Sequence, residues 1–238
     1  MQLDTGNNHI ILLGDVGANY ALQGQQDARF KKALSKYPFT YVCLRGNHEA
    51  RVQKVMEMHP EKWEAKKKYG GEIYVEKKFP RIEYLSDGPA VYEFDGYKTF
   101  SLPGAYSVDK WYRLNHGWAW FEDEQLSEEE MNTGRKIKEV EPEIDLVISH
   151  TCPISYEPRD LFLPYISQET VDKRMEQYLG EIEEGLSYKR WVFGHFHADR
   201  LYPWKDGRQM LMLFNRSVVD LQKFMHMTEK DGLQDILA

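Results

Sequence analysis

The chain has 238 residues, 42% of them hydrophobic and 13% aromatic, with a formal net charge of −7. That length fits one domain, and so apolar a composition excludes wholesale disorder. The acidic balance excludes a general nucleic-acid binder, which needs clustered Lys and Arg, and leaves nucleic acid only as a substrate for a local groove.

The first apolar run, "HIILLGD", reads as a buried strand stopped by Gly14. "DARFKKALSKY" then places Phe30, Ala33, Leu34 and Tyr37 on one helical face, expected to be the buried one, and "FTYVCLRGN" is a second buried strand. This order predicts a parallel βαβ unit. Residues 50–69, rich in Lys and Glu, read as an exposed helix. "GGEIYV", "IEYL" and "AVYEFDGYKTFSL" predict short strands, with Asp95-Gly96 as a hairpin turn. In the stretch 106–121, Tyr106, Trp111, Tyr112, Trp118 and Trp120 either cap a site or pack in the core, and packing is the simpler expectation.

Ser127 with Glu130 predicts a capping box at a helix start. "EIDLVISHT" is a third buried strand, ending at His150, and the three prolines of "CPISYEPRDLFLP" predict a loop. Val171, Met175, Tyr178, Leu179, Ile182 and Leu186 mark the buried face of an amphipathic helix. "KRWVFGHFH" is a fourth apolar strand, and a second hairpin turns at Asp206-Gly207. With no internal repeat and no obvious linker, residues 1–238 read as one domain. Cys43 and Cys152 are too few for a disulfide scaffold and suit a reducing cytoplasm. No signal peptide is read in the opening residues, and no run approaches the ~20 apolar residues of a membrane span.

Each of the four apolar strands stops at a group that can bind metal or move a proton: Asp15, then Asn47-His48, then His150, then His195 and His197. Taken singly, Gly14-Asp15 is an ordinary turn and His150 a satisfied core histidine. Ligand sites of α/β sheets gather beyond the carboxyl ends of strands, so the joint pattern points to one shared site. Its oxygen and nitrogen donors suit manganese, iron or zinc better than calcium.

"GDVG" (14–17), "GNHE" (46–49), "SH" (149–150) and "GHFH" (194–197) stand in an order that resembles the calcineurin-like metallophosphoesterases. "RGNHEAR" is highly specific, and "GAYSVDKWYRL" looks like a segment of small bacterial and phage members. The resemblance implies an α/β (α+β) fold of two mixed β-sheets packed as a sandwich and flanked by helices, with two divalent metals at one end. Carried over, Asp15 bridges both metals, and Asn47, His150 and His195 complete the second. His197 joins the first. His48 is not a ligand but a catalytic group that protonates the leaving oxygen. Arg45 and Arg51 either bind phosphate oxygens, since a guanidinium matches them bidentately, or form ion pairs. The implied reaction is hydrolysis of a phosphomonoester or phosphodiester by in-line attack of a metal-bound hydroxide.

The family also opens with an Asp-x-His motif on an earlier strand, both residues ligating the first metal. Ahead of Gly14 only Asp4 and His9 are available. At about 3.3 Å per residue, His9 lies roughly 20 Å from Asp15 along its strand, and Asp4 has no room for a crossover. The chain is therefore expected to lack the family's first strand. Its second metal site is expected to be complete, and its first weak or empty unless an upstream segment or a second copy in a homo-oligomer fills the gap. The competing reading is a catalytically impaired member that binds metal and serves as an interaction scaffold.

Overall fold

In the second apolar strand Tyr41 and Cys43 pack to one side, Val42 and Leu44 to the other, and all four are buried. A strand covered on both faces belongs inside a layered α/β structure. The computed structural model describes residues 8–22, 24–162, 164, 167–214 and 216–238.

The N-terminal part runs β1 (His9–Leu12), α1 (Gln25–Leu34), β2 (Thr40–Cys43), α2 (Val52–Met58), β3 (Trp63–Lys68), β4 (Gly71–Glu76) and β5 (Ile82–Tyr84). Its sheet has the order β1-β2-β5-β4-β3, parallel from β1 to β5 and antiparallel beyond. The expected βαβ unit is β1-α1-β2.

The second sheet contains β6 (Ala90–Phe94), β7 (Tyr97–Leu102), β8 (Glu143–Ser149), β9 (Ser187–Phe193), β10 (Arg200–Leu201) and β11 (Gln209–Met212). The order is β10-β11-β9-β8-β7-β6, parallel across β11, β9, β8 and β7 and antiparallel at both ends. Between or after these strands come α3 (Lys110–Asn115), α4 (Glu128–Val140), α5 (Arg174–Gly185), α6 (Leu221–His226) and α7 (Leu233–Ile236).

The two sheets pack face to face. Val42, Leu44, Ile73 and Val75 of the first meet Leu146, Ile148, Val192 and Leu211 of the second. On the outer face of the second sheet Trp191, Phe193, Met210 and Met212 pack with Met175, Tyr178, Leu179 and Ile182 of α5. Each such side chain contributes about 1.5–3 kcal/mol on burial. Ser127 caps α4 with the full reciprocal box to Glu130, and both hairpins turn on left-handed Asp-Gly pairs, Asp95-Gly96 and Asp206-Gly207.

Three sequence expectations are corrected. Residues 50–69 hold a short helix, α2, and then β3, because Trp63 is buried and β3 pairs along its whole length with β4. On α1 the inward face is Asp27 and Lys31, while Phe30 and Tyr37 are exposed. Burial of Lys31 is tolerated because its Nζ pairs with Glu76 at 2.8 Å and lies over the Trp63 ring. In the aromatic stretch Trp111, Tyr112 and Trp118 are 69%, 53% and 51% exposed, so they do not pack in the core. β1 stands at one end of the described sheet, with the exposed His9 at the end away from Asp15 and its ring against Tyr69. Asp4 lies outside the described residues.

Candidate metal centre

The parallel strands β1 and β2 of one sheet and β8 and β9 of the other end at the same edge of the sandwich. There the turn after β1 touches the turn after β8, with His150 Nδ1 2.6 Å from the Leu13 carbonyl, and the turn after β9 joins them, its Gly194 N–H donating to the His150 carbonyl at 3.0 Å. Donor atoms of Asp15, His150 and His195 all lie within 4.8 Å of one another. Asn47 completes the group, its Oδ1 2.9 Å from His150 Nε2.

Local backbone shapes put these groups there. Asp15, His195 and His197 all have left-handed φ, at 53°, 68° and 56°, a conformation uncommon outside glycine and concentrated at functional turns. Two glycines make the close approach possible. A Cβ at Gly14, whose φ is 93°, would stand 2.2 Å from His150 Nδ1, and one at Gly46 would stand 2.2 Å from Asp15 Oδ1. Glu49 ties the two N-terminal turns together, accepting from the Gly17 N–H at 2.9 Å and the Gly46 N–H at 3.0 Å. Asn47 is held in turn: its Nδ2 donates to Ser107 Oγ at 2.8 Å, and Ser107 donates to the buried Glu124.

The donor set suits a divalent cation. A carbonyl can only accept, so His150 donates from Nδ1 to Leu13, and Nε2 is the nitrogen turned to the group. That atom faces two more oxygens, Asn47 Oδ1 at 2.9 Å and Asp15 Oδ2 at 3.4 Å. Burial would lower the basicity of this ring, but the Asp15 carboxylate raises it. A backbone carbonyl on the far nitrogen, with the other nitrogen turned to the site, is how metal-ligating histidines are usually oriented. The charges agree. Burial alone would raise the Asp15 carboxyl, yet His150 and His48 bring it well below the ordinary carboxylate range. Burial, with His150 beside it, pushes His195 down to about 3, so it stands as a neutral donor.

His48 sits beside this group. Its N–H donates to Asp15 Oδ1 at 3.0 Å, and its ring lies between two partners that sequence reasoning missed. Arg113 Nη2 is 2.9 Å from His48 Nδ1, and Asp109 Oδ1 is 3.5 Å from His48 Nε2. Arg113 also pairs with Asp109 at 2.8 Å. Burial would raise the Asp109 carboxyl, but His48 and Arg113 bring it down to about 2. The only signal in the sequence was an Asp and an Arg four apart on a predicted aromatic segment.

His197 is exposed, its ring 5.6 Å from that of Phe214, and it is not among the clustered donors. Both arginines expected to bind phosphate or make ion pairs lie beside carboxylates, Arg45 with its Nε 3.5 Å from Asp87. Arg51 pairs bidentately with Glu130 at 2.5 and 3.1 Å. Arg45, 5% exposed, donates to the carbonyls of Glu124 and Asp87.

A sequence profile of the calcineurin-like phosphoesterase family matches residues 2–199. No curated protein matches the chain. Among solved structures it is similar to the phosphopantetheinyl hydrolase from Mycobacterium tuberculosis, at 15% identity and a TM-score of 0.43, over 87% of this chain and 79% of that one.

Proposed function

The chain belongs to the calcineurin-like phosphoesterase family, whose profile spans residues 2–199, and on that premise we propose that it hydrolyses a phosphomonoester or phosphodiester with a divalent metal, manganese, iron or zinc, held by Asp15, Asn47, His150 and His195. One observation supports this above the others: donor atoms of Asp15, His150 and His195 lie within 4.8 Å of one another, with Asn47 Oδ1 2.9 Å from His150 Nε2. A metal bound there would neutralise phosphate charge and make water a nucleophile at neutral pH.

The remaining chemistry belongs to the chain itself. Asp15, ionised throughout the neutral range, anchors the site and fixes His48 through its backbone N–H. A guanidinium can only donate, so Arg113 requires an unprotonated Nδ1 on His48 and leaves the ring proton on Nε2. In that contact the proton of His48 lies on Nε2, on the side of Asp109 at 3.5 Å, and the ring's proposed role is to pass a proton to a departing alkoxide, worth about 10²–10⁴-fold in general. Arg113, not Arg45 or Arg51, is the guanidinium in contact with this group.

The test is hydrolysis of generic aryl phosphomonoesters and phosphodiesters with added manganese, alongside measured metal content. Turnover that disappears with the metal supports the reading. A second reading, a metal-binding scaffold without turnover, draws on His197, which lies outside the clustered donors. It predicts bound metal with no hydrolysis of either ester.

A further inference from the structure

Arg45, Asn47, His48 and Arg51, on the turn after β2, all find partners in one distant segment, residues 104–125. Arg45 donates from Nη1 to the Glu124 carbonyl at 2.8 Å, and its own carbonyl accepts from the Gly104 N–H at 3.0 Å. Asn47 Nδ2 donates to Ser107 Oγ at 2.8 Å. His48 meets Arg113 and Asp109, and Arg51 donates to the carbonyls of Asp123 and Gln125 at 3.1 and 3.0 Å. Of these contacts, the one to Asn47 bears directly on a proposed metal ligand.

Asn47, Ser107 and Glu124 are all buried, so each takes its hydrogen-bond partners from within the protein. Glu124 Oε1 accepts from the Ser107 N–H at 2.9 Å, and Oε2 accepts from the Ser107 hydroxyl at 2.5 Å. A hydroxyl has one proton to give. With that proton committed to the carboxylate, Ser107 Oγ offers Asn47 only lone pairs, so it accepts from Nδ2 and has nothing to donate to Oδ1. The amide is thereby held with Oδ1 towards the centre, 2.9 Å from His150 Nε2. The orientation matters because only the oxygen end of an amide has lone pairs for a cation, whereas the NH2 end carries two donors. Glu124 is itself fixed at its backbone by Arg45. Gly104, with φ at 90°, allows the close approach, since a Cβ there would stand 2.6 Å from the Glu124 carbonyl oxygen.

From this chain of bonds we infer that Glu124 is a positioning residue of the proposed metal centre, acting through Ser107 to hold the oxygen of Asn47, and not its NH2, towards the metal. The inference rests on the metal-dependent reading and adds to it two residues outside the ligand set. A hydrogen-bond partner behind a ligand typically sets about 10–100-fold in metal affinity.

The test titrates the chelator-treated full chain with manganese and, separately, with cobalt(II), whose visible absorption reports its ligands. Urea unfolding is followed on the same metal-free samples. The variants are Glu124→Gln, Ser107→Ala and the two together. In Glu124→Gln the Ser107 N–H claims the one remaining oxygen, so the new NH2 faces the hydroxyl and turns its proton towards Asn47. Each single variant weakens manganese binding about tenfold or more and moves the cobalt(II) band. The double variant binds no more weakly than Ser107→Ala alone, since Glu124 acts only through that hydroxyl.

Unchanged affinity and band in both single variants overturn the inference. Weaker binding with an unmoved band and a matching loss of metal-free stability also overturns it, by making the pair a brace for the loop. Additive losses in the double variant do the same, because Glu124 then acts by another route. Circular dichroism checks folding, and Ser107→Ala, which removes a single oxygen, carries the comparison if Glu124→Gln does not fold. A wild type that binds neither metal overturns the inference together with the metal-dependent reading. A wild type that binds metal more tightly than the variants but hydrolyses no ester upholds the positioning role and overturns only the hydrolytic reading.

Discussion

The guanidinium of Arg113 meets Nδ1 of His48 at 2.9 Å, across 65 positions of sequence. That contact engages one ring nitrogen of His48, and it joins the site to α3. Arg113→Lys keeps a charge but loses the planar fork that also holds Asp109. We expect kcat to fall by about tenfold or more, within the range of a mispositioned acid, with metal content unchanged. Steady-state kinetics and metal analysis on the same sample check both halves.

His48→Ala removes the proton donor and none of the proposed ligands. We expect kcat to drop by about 10²–10⁴-fold while bound metal stays near the wild-type level. Loss of metal in this variant would show that His48 is itself a ligand.

Asp15 and His150 are ligands in the proposed centre. Saturating manganese should therefore raise the unfolding free energy of the wild type, by about 2.7 kcal/mol at a concentration 100 times the Kd. In Asp15→Asn or His150→Ala the gain should shrink or vanish. Thermal melts with and without chelator give the comparison, and an undiminished gain in both variants would place the metal elsewhere.

Gly46 has no room for a side chain, since a Cβ there would stand 2.2 Å from Asp15 Oδ1. Gly46→Ala must displace either the Asp15 carboxylate or the turn that bears Asn47. We expect a stability loss of about 1–3 kcal/mol, the usual range for overpacking, together with weaker metal binding. Urea unfolding and a metal titration measure the two effects.

Glu49 supplies a pH dependence. Burial, with the Asp15 charge beside it, pushes its carboxyl up from 4.5 to about 7, against the opposing bonds from Gly46 and Gly17. Between those values the unfolded chain has released a proton that the folded chain still holds, so this contribution to stability falls as pH rises. The shift corresponds to a loss on the order of 3 kcal/mol from pH 4.5 to 7. His195, about 3 in the folded chain against 6.5 as a free group, also changes its proton count on unfolding within part of this window. The readout is therefore the stability difference between wild type and Glu49→Gln in chelator-treated protein, which should fall across that window. A flat difference would contradict the raised carboxyl.

The strands that lead to Asp15, Asn47, His150 and His195, both Asp-Gly hairpins and the α4 capping box were legible in the sequence alone. These follow from apolar runs, glycine stops and side-chain-to-backbone bonds a few residues long, so local pattern suffices to read them. Contacts between distant segments were decided only in the tertiary structure. Lys31 turns inward because Glu76, 45 positions away, meets it. Arg51 finds Glu130 across 79 positions, and Arg45 finds the carbonyl of Glu124 across another 79. A lone arginine beside a metal motif looks the same in sequence whether it meets a phosphate or a carboxylate. Trp111, Tyr112 and Trp118 read as core because aromatic residues usually are, yet α3 docks on the site through Arg113 and leaves those rings outside. Where a long polar or aromatic side chain points depends on which partner the fold brings within reach, and that information lies outside any local window.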